Sequence, residues 1–437
     1  MHLSFVVTFA SSLLFALPAV ADGQRQSHAN WPISPQLAQA DNAQSPTAEA
    51  LTLSQAVSYA LESNPGLNSA QRTVDVQEGE LIQAGLLPNP ELSSEVEEFG
   101  GIGARRGFRE AQINVEFSQL FELGGKRSKR VRVASYGKDI AELDYQRSRL
   151  DVILVTTQTF ISVVAAQERL EVARDTLELA RELASSVKNR IDAGQVSPTE
   201  QTRANLELSS AEIGFSEAER ELSVSRQNLA ATWGSSAPLR QAAIYNMDQF
   251  VAPGPLAVYA DRLAESPDLV RWDKEVSRSD ATIALEKSQR IPDVTVSLGG
   301  SRFEVDDGKA VRFGVSVPLP LFDRNQGNVM ASQARRQLTA NQRQQALLSL
   351  QVKLNESYTR MASAFQNAQT LRDGILPAAA EAYETILTSY QAGRLSFLDL
   401  VQAQRTLLDV REQYLDTLES YHLNRAELER FVARQGE

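Results

Sequence analysis

Hydrophobic positions in this chain keep two different rhythms. In four short stretches they alternate. Ile113, Val115 and Phe117 are interleaved with Gln112, Asn114, Glu116 and Ser118. Val294, Val296 and Leu298 alternate with Asp293, Thr295, Ser297 and Gly299, and Val311, Phe313, Val315 and Val317 with Arg312, Gly314 and Ser316. A weaker stretch, 91–98, sets Leu92 and Val96 among Ser and Glu. A period of two predicts strands with one apolar and one polar face, at about 90–98, 111–121, 293–303 and 311–320. Their connections, FGGIGARRGFR (99–109) and EVDDGKA (304–310), are glycine-rich or charged. Pro88, Pro90, Pro292, Pro318 and Pro320 stand at strand ends, where a missing ladder donor costs least.

After each strand pair the spacing changes to steps of three and four. Val163, Ala166, Leu170, Ala173, Leu177, Ala180, Ala184, Val187 and Ile191 form one such series. Leu354, Tyr358, Met361, Phe365 and Ala368, then Ile375, Ala379, Ala382 and Ile386 beyond a break at Arg372, form the other. Both read as coiled-coil seams, rich in Ala that lets helices approach closely. Long helices are predicted at about 125–191 and 325–390, each of roughly 65 residues and so roughly 100 Å. Return helices follow at about 198–231 and 397–433, on the stripes Ala204, Leu208, Ala211, Phe215, Ala218, Leu222 and Ala403, Leu407, Val410, Tyr414. Pro377 interrupts only the second long helix, which predicts a kink or unwinding near 373–377. Upstream, a helix starts at Thr52 or Ser54, breaks around Asn64-Pro65 and resumes to about Leu87.

The two halves are copies. RIDAGQVSPTEQTRA (190–204) returns as SYQAGRLSFLDLVQA (389–403), so Ala193, Gly194, Ser197, Glu200 and Ala204 answer to Ala392, Gly393, Ser396, Asp399 and Ala403. Pro65 answers to Pro267, and Pro88 to Pro292. One unit, a strand hairpin plus a long helical hairpin, is built twice, over 51–249 and 250–437. The Ala-Gly turns join the helices of each hairpin.

Composition narrows the function. A net charge of −11 disfavours nucleic acid as a partner, since phosphate binding needs clustered Lys and Arg. There is no cysteine, which excludes disulfides, thiolate metal sites, a cysteine nucleophile and a lipid-anchor cysteine. The apolar run Leu3–Leu17, followed by Ala19-Val20-Ala21, reads as a signal peptide over 1–21, and 22–50 as a polar leader. No later stretch offers some 18 uninterrupted apolar residues, so no inner-membrane helix is expected. Four amphipathic strands cannot close a barrel, since the smallest transmembrane barrels need about eight. Left open, they would expose unpaired edges and a strip of Val, Ile and Phe. Either the apolar face covers a private soluble core, or several chains pool their strands with lipid outside. Rod-like helices too long to pack over the hairpins favour pooling.

The mature chain resembles the TolC-like outer-membrane factors. The carriers are LTLSQAVSYALESNPGL (51–67), the two strand pairs and the twin Ala-Gly-x-x-Ser turns. PNPELSSEVEEFGG (88–101) and FELGGKR (121–127) are similar to the heavy-metal, CzcC-type branch. The resemblance implies a mainly α fold with a membrane β-barrel portion: a trimeric twelve-stranded barrel continuous with an α-helical periplasmic tunnel. It implies an exit duct for divalent cations of the cobalt, zinc, cadmium or nickel type, or for drugs, placed in the outer membrane. The implied partners are a homotrimer, outer-membrane lipid, a periplasmic membrane-fusion adaptor and an inner-membrane resistance-nodulation-division pump. No cofactor is implied.

On this reading Ile113, Val115, Phe117, Val294, Val296, Leu298, Phe313 and Val315 face lipid, and Asn114 and Glu116 face the lumen. Ala193, Gly194, Ser197, Ala392, Gly393 and Ser396 form the periplasmic tip, where closure and docking occur. Asp399, with Glu200 as its first-half counterpart, is expected in an acidic entrance ring that favours cations; both also fit as first-turn acids satisfied by the helix dipole. Asp192, Tyr390 and Arg394 are candidates for a latch between neighbouring hairpins. Enzyme chemistry finds little footing. His2 and His28 lie in the signal and leader, His422 stands alone on a helix, and neither GGIGARRG (100–107) nor GGKRS (124–128) satisfies a nucleotide-binding fingerprint. A soluble periplasmic scaffold or adaptor is the alternative class.

Overall fold

A computed structural model describes residues 50–433 apart from Gln195. The proposed signal peptide, and the leader but for Ala50, lie outside the described residues. Thr52 caps the first helix, α1 (Leu53–Ser63), through a reciprocal box with Gln55. Asn64 then stops α1 and starts α2 (Pro65–Ala84): its Oδ1 accepts from the Leu67 amide at 2.9 Å, and Pro65 fills the first helical position. The Asn64 side-chain amide also donates to the Thr232 carbonyl at 2.7 Å, binding this break to the far end of the first half.

β1 (Leu51–Thr52) pairs in parallel with β4 (Ala243–Ile244). The hairpin strands are β2 (Glu91–Glu97) and β3 (Gln112–Phe121), then β5 (Val294–Phe303) and β6 (Lys309–Ser316). β6 stops at Ser316, short of the expected 320, because Pro318 and Pro320 offer no amide to a ladder. Helix α3 (Lys126–Asp192) has 67 residues, about 100 Å of uninterrupted rod. α4 (Pro198–Ala231) returns along it. α5 (Leu256–Leu263) and α6 (Pro267–Ser288) open the second half. α7 (Gln326–Thr370), α8 (Leu376–Gln391) and α9 (Phe397–Val432) complete it.

Between α7 and α8 the backbone forms one π-helical turn, Leu371–Ile375. It lies just before Pro377, whose ring cannot sit against a regular α-helical turn and whose nitrogen has no proton to give. This turn corrects the predicted seam. Beyond it Ile375 is 44% exposed and Ala382 is exposed, whereas Tyr383 and Tyr390 are buried. The extra residue in the wide turn shifts the most buried stripe by one position, while Ala379 and Ile386 of the predicted seam still pack against the cores. In the first half, where no such turn intervenes, Val163, Ala166, Leu177, Ala180, Ala184 and Val187 are all buried as spaced.

The largest core joins both halves. Phe160, Ile161, Val163, Val164, Ala165 and Ala166 of α3 pack with Leu222 and Leu229 of α4, and with Val410, Tyr414 and Leu418 of α9. A window of α3 has the length and mean hydropathy to cross a membrane, although polar residues such as Thr156, Gln158 and Ser162 interrupt its apolar run. Packing accounts for an apolar stretch of this kind: those six residues are almost fully buried among other helices. A second core toward the helical turns contains Val187, Tyr390, Phe397 and Leu400.

One buried ionic knot ties three helices, and nothing in the periodicity announced it. Asp268, at the start of α6, accepts from Arg147 Nε of α3 at 2.6 Å and from the Arg430 guanidinium of α9. Arg147 also reaches Asp144 at 3.0 Å, and Arg430 reaches Asp151 at 2.7 Å. Burial pushes the Asp268 carboxyl up, but the bonds and charges of Arg430 and Arg147 outweigh it and hold the group below its usual range. A carboxyl with a depressed folded pKa stabilises above its unfolded value, near 3.8, and loses that contribution as pH falls through the folded one. Asp268→Asn should therefore cost about 3 kcal/mol at neutral pH, because two arginines lose their buried counter-charge. Thermal unfolding in detergent across pH checks this. The gap between variant and parent should close as acid protonates the parent's carboxyl.

Candidate functional site

The four hairpin strands form one antiparallel sheet in the order β2-β3-β5-β6. Register fixes which side chains share a face, since directly paired residues point the same way. Phe117 faces Leu92 on one side and Leu298 on the other; Leu298 faces Phe313, and Val296 faces Val315. Ile113, Val115, Phe117, Val294, Val296, Leu298, Phe313 and Val315 therefore lie on a single face. The protein's own helices leave its centre open: Phe117 is 51% exposed, Leu298 58% and Phe313 69%. Ile113, Val294 and Val296 are half-buried.

The opposite face carries Glu91, Glu95, Glu97 and Glu116 with Ser93, Ser297 and Arg312. Asn114 is on this face but is not free to meet solvent, being 6% exposed. Its Oδ1 accepts from Gln112 Nε2 at 2.8 Å and Ser301 Oγ at 2.7 Å, and its amide donates to Glu97 Oε2 at 3.1 Å. Asn114 thus ties β2, β3 and β5 on the polar side. Such cross-strand ties depend on register, which a single strand's alternation cannot reveal. Among the described residues both outer strands, β2 and β6, have one edge without a strand partner in this chain.

The helical turns lie at the other end of the rods. Gly194 and Gly393 have φ of +71° and +72°, the left-handed conformation that ends a helix with little penalty only for glycine. Gly393 N donates to the Tyr390 carbonyl at 2.9 Å and Arg394 N to Ser389 at 2.9 Å, the paired bonds of a Schellman stop. Gly194 N donates to Ile191 at 2.8 Å. Ser197 and Ser396 cap the outgoing helices. Ala193, Ala392, Asp192 and Arg394 are exposed.

The two counterpart acids differ. Asp399 is exposed and closes a capping box, its Oδ2 accepting from Ser396 N at 3.0 Å and Ser396 Oγ at 2.7 Å. Those bonds hold its carboxyl below the usual range. Glu200 is half-buried, with Oε2 shielded and unpartnered. Tyr390, the third latch candidate, is packed within its own chain, its hydroxyl shielded and unpartnered. It is 4% exposed, stands edge-on to Phe397 at 6.1 Å and lies under the Arg190 guanidinium at 4.8 Å. Its ring is spent on its own chain's core, unlike Asp192 and Arg394.

His422 is also a core residue. Nε2 faces the Met247 carbonyl at 2.9 Å and Nδ1 faces the Tyr245 hydroxyl at 3.1 Å, so the carbonyl calls for the proton on Nε2. Burial pushes the imidazole's pKa down, against the raising effect of that carbonyl. Among the described residues no group of three or more His, Asp or Glu is placed to hold a metal ion.

The family model described as outer membrane efflux protein matches residues 56–235 and 258–434, one match in each half. The chain belongs to that family. This efflux protein is 33% identical over 391 residues to the cobalt-zinc-cadmium resistance protein CzcC of Cupriavidus metallidurans, covering 88% of this chain and 90% of the relative. It is 24% identical to the cation efflux system protein CusC of Escherichia coli K12, over 66% of each chain. Its fold is that of a solved CusC structure, with a TM-score of 0.78 at 18% identity, covering 88% of this chain and 92% of that one. The outer membrane protein VceC of Vibrio cholerae gives 0.74 at 18% identity, over 88% and 97%. The efflux protein is an outer-membrane protein of TolC-like architecture.

A Cβ at Gly393 meets no atom within 4 Å, so backbone strain alone sets the effect of substitution there. Gly393→Ala should cost roughly 1 kcal/mol without repacking the turn. Equilibrium unfolding checks the cost, and unchanged near-ultraviolet circular dichroism checks the packing.

Proposed function

We propose that this efflux protein is the passive outer-membrane exit duct of a tripartite resistance-nodulation-division pump, carrying divalent heavy-metal cations. The observation that carries the reading is the sheet: an uncovered apolar face, an acidic opposite face, and two edges left open. Three copies pooling four strands each satisfy every edge and give the apolar face to lipid, as backbone in a bilayer demands. The long helices then continue the conduit into the periplasm. Their turns, at the end farthest from the barrel, are where a membrane-fusion adaptor and the pump dock.

The metal cargo is supported by the similarity to CzcC along nearly the whole chain, and by the charge of the polar face. Glu91, Glu95, Glu97 and Glu116 of three copies line one lumen, and a low-dielectric wall focuses their field on passing cations. Asp399 adds an acidic ring at the tip, where its exposed carboxylate stays ionised. Conduction of this kind needs no coordination site, only a negative path.

Two measurements test the reading. Val115→Arg should cost roughly 2–4 kcal/mol and deplete assembled protein, because it puts a charge on the lipid face near mid-membrane. Glu116→Arg should leave assembly intact, and equal damage from both would remove the face assignment. In planar bilayers the purified protein should pass cations over anions, and Glu91→Gln, Glu95→Gln and Glu116→Gln together should reduce that preference. A deletion strain sensitised to organic drugs but not to cobalt, zinc or cadmium would replace the metal cargo with a drug cargo.

A further inference from the structure

The free edges of the sheet are related to its closed middle seam by the internal repeat. Pro88 answers to Pro292, and carrying that match forward sets Ser93 on Ser297, Glu95 on Gly299 and Glu97 on Ser301. In the first hairpin Glu95 faces Asn114 and Ser93 faces Glu116; in the second, Gly299 faces Arg312 and Ser297 faces Gly314. Asn114 is therefore the counterpart of Arg312, and Glu116 of Gly314. By the same steps Ser118 is the counterpart of Ser316. Strands β3 and β6 are equivalent, as are β2 and β5. Inside the chain β3 pairs with β5, and the equivalent pairing of β6 with β2 is the one left unmade.

We infer that β6 pairs with β2 of a second copy in the register that β3 and β5 use within the chain, with Arg312 opposite Glu97 of that copy. This rests on the shared-barrel reading and adds to it a register and a charge pair. The closed seam has Asn114 opposite Ser301, joined by a hydrogen bond of 2.7 Å. The open seam puts a guanidinium and a carboxylate at the same two places. Among the described residues neither has an opposite charge within ion-pair reach in its own chain, and Arg312 makes a 3.4 Å contact to Asn114.

The neighbouring rung repeats a second feature. In the closed seam Glu116 lies opposite Gly299, where a Cβ would stand 2.6 Å from the Val115 carbonyl oxygen and 3.2 Å from the Glu116 Cα. The transferred register sets Glu95 of the second copy opposite Gly314, again a glutamate against a glycine. On the outer side it sets Phe313 against Val96 and Val315 against Ser94, so the apolar face runs on across the join. A slip of two residues would keep the faces but separate Arg312 from Glu97.

Engineered cysteines test the register, on a chain whose native sequence has none. The inferred pairing sets Ser316 directly opposite Ser93 of the second copy. The Ser93→Cys/Ser316→Cys protein should form intermolecular disulfides in membranes roughly tenfold faster than Glu91→Cys/Ser316→Cys or Glu95→Cys/Ser316→Cys. Directly opposite Cβ atoms are about 5 Å apart and diagonal ones about 7 Å, too far for a disulfide without backbone movement. In parallel, Arg312→Glu should weaken the assembly against denaturing detergent, and adding Glu97→Arg should restore it. Faster crosslinking of a shifted pair, or no rescue by the charge swap, would overturn the register while the shared barrel stands. Absence of crosslinks in a protein that sediments as a trimer would overturn the pairing of β6 with β2. A wild-type protein that sediments as a monomer would remove the shared barrel itself.

Discussion

A β-sheet that stops at four strands leaves two rows of peptide groups unpaired, and here it also leaves an apolar face bare. Among the described residues neither problem has a solution inside one copy of the chain. The helices that might have covered the apolar face begin at its margin and run away from it, and the polar face is already committed to carboxylates and hydroxyls. The proposed shared barrel starts from this incompleteness: pooled strands would pair the edges, turn the acidic face to a lumen and give the apolar face to lipid.

The helical part answers a different demand, that of staying parallel over about 100 Å. Alternating steps of three and four with many alanines keep the rods close, and the core around Phe160 binds the two halves where α3, α4 and α9 meet. The Asp268 knot adds a directional tie in that chain. Its counterpart in the first half is Gly66, next to the Asn64–Thr232 contact, so the two halves use different means to hold equivalent joints. Duplication preserved the geometry of the joint and let its chemistry diverge.

Much of this was legible in the residues. Period-two alternation placed the strand faces, because the pleat allows only two directions. The paired Ala-Gly turns marked the hairpin ends, because a left-handed residue is needed there and glycine takes it with the least strain. What stayed hidden depended on distant partners. Asp268, Arg147 and Arg430 are far apart in sequence, and no local pattern joins them. Tyr390 looked available because it sits beside an exposed turn, yet Phe397 and Arg190 enclose it. Beyond Arg372 the seam missed at Ile375 and Ala382, though not at Ala379 and Ile386, because periodicity assumes a uniform pitch and Leu371–Ile375 does not keep it.

That wide turn sets the angular phase of everything downstream. Each residue of an α-helix advances about 100°, so a one-residue surplus turns α8 relative to the stripe that α7 alone would project. Tyr383, Leu387 and Tyr390 point inward only because the surplus is there. Losing a single codon between 371 and 375 would leave every remaining side chain chemically intact, yet swing the aromatic anchors of the tip out of the core. In a rod of this length, then, indels are graded by where they fall: one in a strand-connecting loop leaves the helical phase alone, whereas one in this turn rotates the whole outer segment on its axis.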